Sequence, residues 1–154
     1  LISEAQIMYR ELSNETGNFF DMMVNEELMD LENRKGKRGG GFCTAFPMYE
    51  RPYIFANFNG TDHDVTVLTH EAGHAFQCYS SRHQPLQEYF WPTLEACEIH
   101  SMSMEFITWP WMEKLAAMTT SSPPPPFCHR CHARILSVLF WWKTFVCEPR
   151  SPSV

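Results

Sequence analysis

The run His70-Glu71-Ala72-Gly73-His74 sets two imidazoles four residues apart, with a carboxylate directly after the first. On a helix, residues i and i+4 share a face with Cβ atoms about 5–6 Å apart, so both rings can reach one metal ion. Imidazole nitrogens bind zinc at about 2.0–2.1 Å, and a neighbouring carboxylate stands where it can take a proton from a metal-bound water. Val67, Leu68, Ala75 and Phe76 flank these residues. Two histidines and a glutamate inside an apolar stripe require a polar or ionic partner. The residues therefore predict a site with His70 and His74 as zinc ligands and Glu71 as the base.

A third ligand follows His74 by 24 residues. Residues 91–106 read as a second helix, opened by Pro92 or Thr93 and ended before Pro110. Glu95, Glu98, Met102 and Glu105, spaced by three, four and three, fall on one face of it. Carboxylates stacked on one stripe of a helix rich in Met, Ile and Phe repel one another unless a cation lies among them. Zinc supplies that cation, with Glu98 as the inner ligand and Glu95 and Glu105 as outer groups that orient the histidines. A solvated acidic face is the competing reading of the same spacing.

These residues need elements to hold them. Residues 64–79 read as the helix carrying the histidines, with Thr61 or Asp62 as its N-cap. Two short apolar runs, 42–46 and 53–58, read as strands joined through Pro47 and Pro52. The basic, glycine-rich stretch 33–41 is a loop without the phosphate-binding pattern of a Walker sequence. Residues 1–31 carry helical periodicity, broken near Asn14, with Ser13 or Asn14 capping the second helix.

Composition bounds the classes open to the chain. Its 154 residues, 44% hydrophobic and 19% charged with net charge −6, fit one globular domain or a piece of a larger one, and Leu1 in place of Met suggests the interior of a longer protein. The acidity argues against nucleic acid as a partner, and no apolar run nears the roughly 20 residues that span a bilayer. Without a secretory signal, and with Cys43, Cys78 and Cys97 in apolar contexts, the cysteines indicate a reducing cytoplasm rather than a disulfide framework.

The segments Asn57-Phe58-Asn59-Gly60, 70–77, 95–105 and 109–113 together closely resemble the oligoendopeptidase F group of the thimet oligopeptidase and neurolysin family of zinc metallopeptidases. The resemblance covers about residues 1–115. It implies a mainly α-helical fold with a small β-element beside the active-site helix, and a channel that admits short peptides. Carried over residue by residue, it makes His70, His74 and Glu98 the ligands of one zinc ion per chain and Glu71 the catalytic base. The implied activity is cleavage of internal bonds in short oligopeptides. Met102, four residues after Glu98, departs from the thermolysin pattern, and the residues after His74 lack the third histidine of the metzincins. Glycines before the strand at Phe42 let an extended peptide pair closely with it, which makes Gly40, Gly41 and Phe42 candidate substrate-binding residues.

The pattern ends near Leu115. Residues 1–115 hold 17 of the 18 acidic groups and have net charge −9; residues 116–154 carry +3, six of the eleven prolines and three of the six cysteines. This tail reads as foreign to the family, as a shifted reading frame would make it. Its Cys128-His129-Arg130-Cys131-His132 matches the CxxCH signal for c-type haem, which leaves a haem protein as one alternative and an inactive zinc-binding fragment as another.

Overall fold

A computed structural model of the chain describes residues 1–117, so the tail and its CxxCH run lie outside the described residues. Helices α1 (Ile2–Leu12) and α2 (Asn14–Asn25) form an antiparallel hairpin turned at Ser13, whose hydroxyl accepts the Thr16 N–H. Strand β1 (Met29–Glu32) follows, then β2 (Phe42–Phe46) and β3 (Arg51–Phe58). The long helix α3 (His63–Ser80), one turn α4 (Gln87–Phe90), helix α5 (Leu94–Thr108) and the short α6 (Met112–Ala116) complete the order. The mainly α reading with a small sheet beside the histidine helix holds. Among the described residues, no helix is long and apolar enough to cross a membrane.

One element departs from the periodicity. Leu28 and Leu31 belong to the approach and body of β1 rather than to a helix running to residue 31. Glu27 adopts a left-handed conformation (φ 54°), and the Leu28 N–H bonds back to the Met23 carbonyl at 2.9 Å. This closes α2 without the glycine that usually marks such a stop. The chain then runs parallel to β3, pairing Met29 with Ile54.

In the sheet β3 is central, with β1 on one side and β2 antiparallel on the other. One face packs on α3 through Ile54 and Ala56, both fully buried. The core continues through Val65, Leu68, Ala72 and Ala75 of α3 into the hairpin, where Tyr9 stacks on Phe20 (4.5 Å) and Phe19 meets the edge of Phe76 (5.2 Å). Each such side chain contributes about 1.5–3 kcal/mol on burial, so the face of α3 opposite its histidines is strongly anchored.

The basic loop is tied to the sheet. The Lys37 side chain, 1% exposed, donates to the Asp30 carboxylate and to the carbonyls of Asp30, Glu32 and Ala56. Its ammonium also lies 4.5 Å over the Phe55 ring. Asn57 donates to the carbonyls of Arg38 and Gly40. These bonds fix the approach to β2, and with it the segment that borders the histidines.

Candidate metal centre

Helix α3 opens at Asp62, with Asp64 accepting the N–H groups of Asn59, Gly60 and Thr61. Thr93 caps α5 by accepting the Ala96 N–H. The two helices meet at Gly73, between Glu71 and His74. A Cβ there would lie 2.7 Å from the Ser101 Cα and 2.9 Å from the Met104 Cβ. The small residue inside the histidine motif is therefore what lets α5 come close enough to bring a carboxylate to the two rings.

His70, His74 and Glu98 each offer a ligand atom, and these atoms lie within 4.8 Å of one another. The Nε2 of His70 is 3.3 Å from Glu98 Oε2, and the Nε2 of His74 is 3.8 Å from Glu98 Oε1. The imidazoles stand 4.9 Å apart and nearly perpendicular, at 82°. Two nitrogens and a carboxylate oxygen converging in this way match the donor set of a zinc site that keeps a position open for water or substrate.

Glu105, one and a half to two turns beyond Glu98, binds the Nδ1 of His70 at 2.6 Å. With Nδ1–H donating to this carboxylate, the Nε2 lone pair faces Glu98 and the common ligand point. The bond to Glu105 also raises the pKa of His70, against the effect of burial. His74 has no such partner among the described residues; burial, and then the neighbouring His70, lower its pKa. Glu95 is exposed in the first turn of α5 and makes no bond to either histidine among the described residues. Of the two expected outer carboxylates, the fold brings in one.

Glu71 is buried, and its Oε2 has no hydrogen-bond partner among the described residues. Burial raises its pKa, while His70 and the Cys43 N–H act in the opposite direction. Gly41 lies against the same carboxylate, where an added Cβ would sit 3.4 Å from Oε1. Gly40 has φ +96° with open space about it, and Phe42 is half exposed at the start of β2.

One contributor escaped the sequence reading. Ser101 donates to Glu98 Oε2 at 3.1 Å, a contact its i+3 spacing from Glu98 could have signalled.

The sequence profile of peptidase family M3 matches residues 8–121. The chain belongs to peptidase family M3. A solved structure assigned as an oligoendopeptidase F is 54% identical, with a TM-score of 0.72, over 90% of this chain and 24% of that one. PZ peptidase A, solved with an inhibitor, is 52% identical with the same TM-score and the same coverage of both chains. A protein from Bacillus anthracis, also assigned as an oligoendopeptidase F, is 50% identical, again at 0.72 and with that coverage. The chain thus spans about a quarter of the length of these relatives. Curated proteins offer no match.

Proposed function

We propose that residues 1–115 form the metal-binding catalytic segment of a zinc metalloendopeptidase that hydrolyses internal bonds of short oligopeptides, and that residues 116–154 are a tail outside that unit. The observation that carries this reading is the convergence of His70, His74 and Glu98 within 4.8 Å, beside the buried Glu71, in a chain of family M3.

One zinc ion per chain would be held by His70 Nε2, His74 Nε2 and the Glu98 carboxylate, with Glu105 fixing the His70 tautomer. Zinc bound there supplies Lewis acidity and lowers the pKa of a coordinated water to about 7. Glu71 takes up the proton of the attacking water on its unpaired Oε2 and returns it to the leaving amine. Its burial suits this exchange, since a carboxylate in an apolar wall accepts a proton more readily than one in water. Gly41 brings bare backbone against Glu71, and Gly40, one residue earlier, has open space about it for a peptide. From there β2 offers its free edge to an extended substrate.

The free thiols of Cys43, Cys78 and Cys97 support a reducing, cytoplasmic setting. A zinc-binding but inactive segment is the second reading of the same ligand cluster. A quenched fluorogenic octapeptide, with and without a zinc chelator, separates the two. The first reading expects chelator-sensitive cleavage that falls about 10²–10⁴-fold in Glu71→Gln. Zinc binding without cleavage supports the second, and cleavage indifferent to chelator and to Glu71 contradicts both.

A further inference from the structure

We propose that Phe42 and Phe46 select the substrate, each taking an apolar side chain of an extended peptide that pairs with the free edge of β2, at two positions four residues apart. The inference rests on the reading of β2 as the peptide-binding edge and adds the peptide class.

The register determines which groups of β2 are available. Cys43 pairs with Ile54, and Ala45 with Pro52. The Ile54 N–H is directed to the Leu28 carbonyl on the β1 side, at 3.0 Å, and Pro52 has no N–H. Neither donates to β2, so both pairs are of the non-hydrogen-bonded kind. The main-chain groups of Cys43 and Ala45 therefore point away from β3, to an edge that no strand covers among the described residues. Gly41, directly before β2, lies against the Glu71 carboxylate, which sets the start of that edge beside the base.

Side chains alternate across the strand. Cys43 turns towards the core against α3. Phe42, Thr44 and Phe46 lie on the opposite face, where Phe42 is 48% and Phe46 46% exposed. Both rings are held by neighbours on β3. Phe42 stacks on Phe55 at 5.0 Å and 17°, and Phe46 meets Tyr53 at 6.1 Å. Phe55 is backed in turn by the Lys37 ammonium. The two rings are thus fixed platforms about 13 Å apart at roughly 3.3 Å per residue, with the smaller Thr44 between them.

A strand added to this edge places residues n, n+2 and n+4 opposite Phe42, Thr44 and Phe46 on the same face. Residues n and n+4 cover the half-exposed rings and gain from being apolar. Residue n+2 meets a hydroxyl and has no such preference. Because Phe42 is at the Glu71 end, n lies next to the reacting bond and n+4 is a remote anchor.

The test uses the zinc-loaded full chain and fluorescein-labelled octapeptides, read by anisotropy. One peptide carries Leu at n and n+4 in an Ala/Thr background; a second has Ser at both positions; a third keeps both Leu residues but is N-methylated at alternate backbone nitrogens. The Leu peptide should bind about five-fold more tightly per apolar position than the Ser peptide, and Phe46→Ala should remove the n+4 advantage alone. The N-methylated peptide should lose binding. Equal affinity of the Leu and Ser peptides, with N-methylation still disruptive, overturns the selection by Phe42 and Phe46 and leaves the edge reading standing. Undiminished binding of the N-methylated peptide, or no binding by any of the three, overturns both. The comparison of peptides on the unaltered chain needs no variant to fold.

Discussion

The contacts that set the chemistry involve few atoms, and each can be removed singly. Glu105 touches no reacting group; it acts through the His70 Nδ1 at 2.6 Å. Replacing Glu105 by Gln keeps a hydrogen bond but removes the charge, and Ala removes both. Outer groups of this kind are worth about 10–100-fold in metal affinity, so Glu105→Ala should weaken zinc binding by that range and Glu105→Gln by less, in a competition titration with a chromogenic chelator. Equal effects would show that packing rather than orientation is involved. Ser101→Ala, which frees one Glu98 oxygen, should have a smaller effect in the same titration.

At the scale of elements, the site depends on how closely α5 approaches α3 and on how firmly the loop before β2 is held. Gly73→Ala puts a methyl carbon 2.7 Å from the Ser101 backbone, and the helices must part to admit it. Overpacking of this kind costs about 1–3 kcal/mol, measurable by urea denaturation, and zinc affinity should fall with it because Glu98 and Glu105 move with α5. Lys37→Met leaves two part-buried carbonyls and one exposed carbonyl without this donor, a loss of about 1–3 kcal/mol. The same clasp gives an acid-sensitive contribution. Arg34, and then Lys37, hold the Asp30 carboxyl well below the usual carboxylate range. Its folded-state pKa lies below the unfolded one, so the unfolded chain binds the proton first. The stabilisation is complete above the unfolded value of about 3.9 and is lost as pH falls below it. Denaturation midpoints of wild type and Asp30→Asn should therefore converge as pH drops from 5 to 3.

Legibility divided along the same line. Spacing alone placed His70, Glu71 and His74 on one helix and Glu98 and Glu105 on another, because side-chain periodicity is written directly in residue types. It also put Glu95 on the acidic face, where the first turn of α5 leaves it in solvent. Strand β1 was hidden because α2 ends on a left-handed Glu27, and Leu28 and Leu31 continue an apparent helical period. The parallel pairing of β1 comes from backbone geometry. Gly73 was visible as a letter, but its need became evident only once α5 was seen against it.

For the molecule as a whole, residues 1–115 carry a net charge of −9, with Glu98 and Glu105 among the acidic groups set against the histidines, and the family match extends to residue 121. Among the described residues, the Glu98 side chain remains 53% exposed. A ligand that binds only the folded chain stabilises it in proportion to the logarithm of its free concentration over Kd. Zinc at about 100 times Kd should add about 2.7 kcal/mol, seen as a rise in Tm that a chelator reverses. A Tm unmoved by zinc would mean that the three ligands do not act together.

The most direct test of the central claim is the metal content of the purified chain by inductively coupled plasma analysis, compared with His74→Ala and Glu98→Gln. The account predicts about one zinc per chain, lost in His74→Ala and lowered in Glu98→Gln. Metal content that stays the same when His74 and Glu98 are replaced would contradict it.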